Sequence, residues 1–276
     1  MKNIVLAAGY ATRLYPVTNN FPKPLLELGG ISILDRLISN IDPIKVIDEH
    51  LIVSNHKYLP HFEKWASISR YTKKITIIDD GSIENESRIG AVRDLLLAIQ
   101  VRQLNDDLLV IAADNIVSFS FHDFVEYFKE KQTSLIMTYH EPELAALQRT
   151  GVITMDTNNK VLAMQEKPAI PHSHFAVPPF YIYIKNDLKL IPSCIAEGCP
   201  TDAPGHLVRS MLAKTSFHAW LMNGKRYDIG TLDTYYRLKD SFLIPRTRHS
   251  RNPSTSFPRR RESPTTTPNP LNVIPA

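Results

Sequence analysis

Lys2-Asn3-Ile4-Val5-Leu6-Ala7-Ala8-Gly9-Tyr10-Ala11-Thr12-Arg13-Leu14 is a strand-like run that passes straight into small residues and then an arginine. Pro22-Lys23-Pro24-Leu25 follows a few residues later. The run Lys2–Ala7 reads as a short buried strand. Small residues at 7, 8, 9 and 11 allow backbone N–H groups to approach a polyphosphate closely. Arg13 offers a planar fork for phosphate oxygens. Lys23, held between two prolines, has little backbone freedom and can place a point charge on a phosphate. A plain strand–turn connection would explain the small residues, but not a cationic pair in a proline-rich loop. Two other phosphate loops are excluded. The dinucleotide fingerprint needs three spaced glycines, and only Gly9 is present here. The P-loop needs Gly-Lys-Ser/Thr, whereas Gly224-Lys225 is followed by Arg226.

Working outward, strand-like and helix-like segments alternate over the first 130 residues. Ile31–Ile41 carries apolar residues at 31, 33, 34, 37, 38 and 41, which predicts a helix over that whole span. Leu51–Val53, Ile75–Ile78 and Leu108–Ala113 read as strands. Tyr58–Ile68, Ile89–Val101 and Phe121–Glu130 read as helices. Later, Ser134–Tyr139, Phe180–Ile184 and Phe217–Met222 read as strands, and Leu207–Ala213 and Leu232–Phe242 as helices. Gly151–Met155 and Lys160–Gln165 flank the polar turn Asp156-Thr157-Asn158-Asn159 and predict a hairpin. The expected fold is α/β, Rossmann-like: a mixed, mainly parallel sheet flanked by helices, with antiparallel strands in the second half.

With 276 residues and 43% apolar content, the chain can bury a substantial core. Its formal charge of +4 comes from the end. From Pro245 onward there are six arginines and one acid, which leaves residues 1–244 at −1. A near-neutral folded part gives no electrostatic reason to expect nucleic acid. No apolar run approaches the roughly 18 residues of a membrane span, and Met1–Gly9 is too short for a signal peptide. Cys194 and Cys199 alone make a poor zinc signature and read as reduced thiols. The expectation is a cytoplasmic protein with no membrane partner; self-association is left open. Residues 1–244 are expected to form one domain and 245–276, with seven prolines, a disordered tail.

The two N-terminal motifs together resemble the sugar-phosphate nucleotidyltransferases, which carry Leu-Ala-Ala-Gly-x-Gly/Ala-Thr-Arg-Leu and then Pro-Lys-Pro-Leu. The likeness extends over about residues 2–240. It implies a nucleotide-binding half and a sugar-binding half, as in glucose-1-phosphate thymidylyl- or uridylyltransferases, with a nucleoside triphosphate and a sugar 1-phosphate as substrates and Mg2+ as cofactor. In that setting Ala8 and Gly9 face the nucleotide, Arg13 the leaving pyrophosphate and Lys23 the α-phosphate. Asp114 follows the apolar strand Leu108–Ala113, so its carboxylate projects from the carboxyl edge of a sheet, where ligands gather in open α/β folds. Asp228, in Tyr227-Asp228-Ile229-Gly230-Thr231, stands at another strand end. The resemblance implies that the two hold the metal; either alone would read as a helix cap. It also implies that Gly151 and Glu166 meet the sugar and Lys167 its phosphate, and that Asn85 and Gly90 read the base. The region around Asn85 departs from the thymidylyltransferase pattern, which leaves the base open. Asp202-Ala203-Pro204-Gly205-His206 is similar to a segment near the sugar side, where His206 is either a contact or a capping residue. Cytidylyl transfer to phosphocholine or another non-sugar phosphate, and a non-catalytic nucleotide-binding regulatory subunit, stay as alternatives. No hexapeptide repeat is found, so an appended acyltransferase β-helix is not expected.

Overall fold

The computed structural model describes residues 1–243. The expectation for the tail falls outside these residues. Strand β1 (Lys2–Leu6) leads into single 3-10 turns at Thr12–Leu14 and Lys23–Leu25. A small hairpin, β2 (Glu27–Leu28) and β3 (Ile31–Ser32), precedes helix α1 (Ile33–Ile41). Ile31 therefore does not belong to the helix, contrary to the sequence expectation. It pairs with Leu28 across the hairpin and is exposed, while the Ser32 hydroxyl accepts from Asp35 N at 2.9 Å and caps the helix.

Next come β4 (Glu49–Ser54), α2 (Leu59–Ile68), β5 (Lys74–Asp79) and α3 (Ala91–Val101). Helix α3 starts two residues later than expected. Gly90 takes φ +93, outside helical space, and a Cβ there would sit 2.5 Å from the carbonyl of Thr201. Then follow β6 (Leu108–Ala112), β7 (Asn115–Val117), α4 (Phe121–Lys131), β8 (Ser134–His140) and the short α5 (Leu144–Leu147). The expected hairpin is β9 (Gly151–Met155) with β10 (Val161–Glu166), antiparallel. The rest is β11 (Phe175–Val177), β12 (Phe180–Tyr183), α6 (Leu190–Ala196), α7 (Pro204–Met211), β13 (Phe217–Leu221), β14 (Arg226–Asp228) and α8 (Leu232–Leu243). Helix α7 begins and ends earlier than the expected Leu207–Ala213, because Pro204 is tolerated in its first turn.

Among the described residues ten strands form one sheet, ordered β10-β9-β11-β8-β12-β6-β1-β4-β5, with β13 paired to β8. Strands β6, β1, β4 and β5 run parallel. Strand β12 enters antiparallel to β6 and β8 antiparallel to β12, so the mixed topology expected from sequence is present. The central strands are apolar on both faces, as strands covered on both sides must be. Val5, Ile52, Leu109 and Ile111 pack under α1, α2 and α4, whereas Ile4, Leu51, Val53 and Val110 pack under α3, α6 and α7. A third, smaller cluster holds Leu14, Leu26, Ile116, Ile229, Tyr235 and Leu238. It pins the N-terminal loop, β7, β14 and α8 together beyond the carboxyl edge of β6.

Candidate active site

Each polar residue singled out near the N-terminus, and each acid paired with it, is followed within a few positions by a member of that third cluster. Leu14 follows Arg13, Leu26 lies three residues after Lys23, Ile116 two after Asp114, and Ile229 one after Asp228. The apolar residues go inward and their polar neighbours are left at the cleft. The Lys23 backbone sits in its 3-10 turn through Leu26 N donating to Lys23 O at 3.0 Å, with Pro24 inside the turn. Lys23 is buried, and its ammonium donates to Asp114 Oδ2 at 3.0 Å. Ala11 takes the left-handed conformation at φ 49, and its carbonyl accepts from Leu14 N and from the Thr18 hydroxyl at 2.8 Å. This local strain sits beside the cleft and is held by those bonds.

Asp228 reaches Asp114 through a ladder that sequence reading did not foresee. Strand β14 pairs antiparallel with β7, Asp228 opposite Asn115, and Ile229 N donates to Asp114 O at 3.2 Å. The fully buried Asn115 gives its amide to Asp114 Oδ1 at 2.7 Å and takes the Arg226 guanidinium on its oxygen at 2.7 Å. Crowding by protein atoms and then the Asp114 charge push the Asp228 carboxyl above its ordinary value, against Lys23, Arg226 and Arg13. Asp114, which already takes the Lys23 ammonium, and Asp228 are the acids at this point that could hold a cation. Among the described residues there is no group of three or more His, Cys, Asp or Glu side chains that would cage a metal unaided.

A cleft of about 850 Å3 opens from this point over β9 and β10. Arg13, Asp114, Gly151, Glu166, Lys167, Asp202, Gly205, Arg226 and Asp228 are on its walls. Glu166 is seated between Gly151 and Gly205. A Cβ on Gly205 would fall 1.9 Å from Glu166 Oε2, and one on Gly151 would fall 3.3 Å from it. Burial raises the Glu166 carboxyl above its ordinary value, against the pull of Lys167 and His206. The Lys167 backbone is left-handed at φ 47 and its N–H donates to Thr150 O at 3.1 Å, so the side chain leaves the strand end at a fixed angle. His206 Nε2 stands 3.5 Å from Asp202.

A second cavity of about 430 Å3 shares Arg13, Asp114, Lys167 and Asp202 with the first. Ala8, Gly9, Lys23 and Gly90 line it. A Cβ on Gly9 would meet nothing within 4 Å, so that stretch of backbone is bare toward the cavity. Asn85 is not on either wall. It lies in a separate 3-10 turn, Asn85–Ser87, where its amide meets Glu86 at 3.4 Å and its oxygen meets Arg88 at 3.5 Å. Asp80, Arg88 and Asp94 line the cavity instead. Sequence reading missed Asp94 because an acid in the first turn of a helix reads as a solvated charge complementing the dipole.

A protein-family model described as nucleotidyl transferase matches residues 2–243. A glucose-1-phosphate adenylyltransferase of Fervidobacterium nodosum is 27% identical over 260 residues, covering 89% of this chain and 62% of that protein. The bifunctional protein GlmU of Methanococcus aeolicus is 30% identical over 236 residues, covering 83% and 51%. The chain thus spans about half to three-fifths of the length of these relatives. A solved Bacillus anthracis structure, described as a glucose-1-phosphate thymidylyltransferase with sucrose, superposes with a TM-score of 0.74 at 21% identity, covering 88% of this chain and 95% of that one. A UDP-glucose pyrophosphorylase holding UDP-glucose superposes at 0.73 with 18% identity, covering 87% and 97%. At those identities the likeness is one of fold.

Proposed function

Because the chain belongs to the nucleotidyl transferase family, we propose that it joins a nucleoside triphosphate to a sugar 1-phosphate, giving a nucleotide sugar and pyrophosphate. The observation that carries this reading is the ion pair of Lys23 with Asp114 at 3.0 Å, set in a cleft that Arg13, Lys167 and Asp228 also line. The name of the adenylyltransferase relative supports the substrate class.

In the proposed reaction an oxygen of the sugar phosphate attacks the α-phosphorus. A new P–O bond forms, the α–β bridge breaks, and pyrophosphate leaves with the electron pair. A phosphate monoester is largely ionised at neutral pH, so no general base is required. The difficulty is bringing two anions together. Lys167 holds the attacking phosphate, Lys23 meets charge at the α-phosphate, and Arg13 grips the leaving group. Orientation and preorganised charge supply most of the acceleration. Asp114 and Asp228 fit Mg2+, which takes one or two carboxylates along with phosphate oxygens and water. When bound, it would supply positive charge to the phosphate oxygens. Ala8, Gly9 and Gly90 line the nucleotide end, and Gly151 and Glu166 the sugar end. The reading extends to a cytoplasmic setting, in keeping with two free, buried cysteines.

The test is a matrix of nucleoside triphosphates against common sugar 1-phosphates, read by pyrophosphate release with Mg2+ present. Release that depends on both substrates supports the reading. No release from any pair, with triphosphate binding retained, would favour a non-catalytic nucleotide-binding role.

A further inference from the structure

Strands β7 and β14 stand apart from the ten-stranded sheet as a two-stranded sheet of their own. Their register sets Arg226 opposite Val117, Tyr227 opposite Ile116 and Asp228 opposite Asn115. A pair this short is marginal by itself, yet it is what sets Asp228 beside Asp114. Side chains alternate along a strand and paired residues share a face, so Arg226, Asp228 and Asn115 lie on the same side of this ribbon. Arg226 and Asp228 open onto the larger cleft, whereas Asn115 is fully buried.

An unbroken run of hydrogen bonds crosses that face. The Arg226 guanidinium donates to Asn115 Oδ1 at 2.7 Å, Asn115 Nδ2 donates to Asp114 Oδ1 at 2.7 Å, and Lys23 Nζ donates to Asp114 Oδ2 at 3.0 Å. Asn115 Nδ2 also donates to Ala112 O at 3.3 Å. A guanidinium can only donate, so the amide oxygen faces it and the NH2 group faces the carboxylate. Tyr139 on β8 supports the guanidinium, with its ring centroid 5.8 Å from the guanidinium carbon. Each Asp114 oxygen therefore has one protein donor, and an ionised carboxylate oxygen can accept two partners. The carboxylate is held in plane and still has a lone pair on each oxygen for a cation. Without Arg226 the Asn115 oxygen would be buried and unpaired. An amide relieves that cost by shifting, and a shift of Asn115 carries Asp114 with it.

We propose that Arg226 is a positioning residue for the transfer reaction. Acting through Asn115, it fixes the Asp114 carboxylate relative to Asp228 as a seat for the divalent cation. The inference rests on the nucleotidyl-transfer reading for the role of the two acids. The competing role is a direct contact with the acceptor, since the guanidinium also lines the cleft. The two roles differ in what is lost with the side chain. Partners one bond removed from a metal ligand contribute about 10–100-fold to metal affinity or activity. They act on the acid through a shared path, so the losses of Arg226 and Asn115 overlap. A contact to the acceptor raises its KM and adds to the loss of Asn115.

The experiment uses the full chain as Arg226→Met, Asn115→Ala and the double variant, with Arg226→Lys as the conservative control. Mn2+ binding to the protein alone is measured by electron paramagnetic resonance. The kcat and the KM for each substrate are measured by pyrophosphate release with Mg2+. Arg226→Met keeps the stem and removes the donors. It is expected to weaken Mn2+ binding and to lower kcat by about tenfold or more, with the KM for triphosphate and for sugar phosphate each within about twofold of the parent. The bond to Asn115 uses one nitrogen, so Arg226→Lys is expected to recover most of both losses. The double variant is expected to lose little beyond Asn115→Ala. Should Asn115→Ala show no cooperative thermal transition, the Met and Lys variants at position 226 decide by the same Mn2+ and KM readouts. Unchanged Mn2+ binding with a raised KM for the sugar phosphate, or losses that add in the double variant, would overturn the proposal. If no sugar phosphate gives turnover, the transfer reading fails, while the Mn2+ series still decides whether Arg226 serves the acids.

Discussion

Lys23 Nζ lies 3.0 Å from Asp114 Oδ2, with 91 residues of chain between them. The lysine is 7% exposed and braced by Pro22 and Pro24, so its ammonium is aimed before any substrate arrives. A preorganised donor of this kind is worth about 10²–10³ in kcat. Lys23→Ala is therefore expected to lower kcat by that factor, measured by pyrophosphate release. Near-normal turnover in that variant would remove Lys23 from the mechanism.

Asp228 stands opposite Asn115, next to Asp114, in the β14–β7 register, and burial and then the Asp114 charge raise the cost of ionising Asp228. A divalent cation relieves that cost. Chelator is expected to abolish turnover and Mg2+ to restore it. Asp228→Asn is expected to weaken activation by Mg2+ without unfolding the chain, because Ile229 keeps its place in the apolar cluster. A Mg2+ titration of activity in parent and variant checks this. Full turnover in excess EDTA would exclude the metal.

Gly205 leaves room for Glu166 and nothing else: a methyl group there would fall 1.9 Å from Glu166 Oε2 and 2.7 Å from Met164 Cε. Gly205→Ala is expected to push the Glu166 carboxylate out of its seat. The KM for the sugar phosphate should rise while that for the triphosphate stays nearly constant, at a stability cost of about 1–3 kcal/mol. Separate saturation curves for the two substrates distinguish the outcomes. Equal increases in both KM values would mean that Glu166 is not specific to the sugar end.

These residues differ in how far the sequence exposes them. The alternation of β1, α1, β4, α2, β5, α3 and β6 is legible because buried parallel strands and amphipathic helices leave strong local patterns. Arg13 and Lys23 are legible because a proline-rich loop has no structural need for cations. Asp228 could be suspected but not placed. Strand β14 has three residues, too few for an alternation signal, and its pairing with β7 is a tertiary fact. Ile31 went astray because a three-residue offset from Leu34 mimics a helical stripe, while Gly29 and Gly30 at positive φ turn the chain into a hairpin first. Gly205 gave no local sign of its role, since the atom it accommodates belongs to a strand some forty residues earlier. Asp94 hid behind its position in a first helical turn, where an acid is ordinary. Only burial against Asp80 makes it unusual.

That burial has a consequence for stability. An Asp in the unfolded chain titrates near its ordinary value, 3.8, whereas Asp94 in the fold is held up to about 8. A carboxyl raised in the folded state favours folding fully only below pH 3.8. Between there and pH 8 the unfolded chain releases a proton that the native state retains, so stability falls as pH rises. Asp94→Asn supplies the same donor to Asp80 without a proton to lose. At pH 7.5 it is expected to be more stable than the parent by about 1–3 kcal/mol, the range for relieving one poorly satisfied buried group, or roughly 2–10 °C in Tm for a domain of this size. At pH 4 the difference should shrink to a small part of that, because the parent Asp94 is then protonated in the fold and only about half ionised in the unfolded chain. Thermal unfolding of the two proteins at both pH values checks the sign. A variant that melts below the parent at pH 7.5 would show that Asp94 is ionised in the fold, with its charge compensated by a partner other than Asp80.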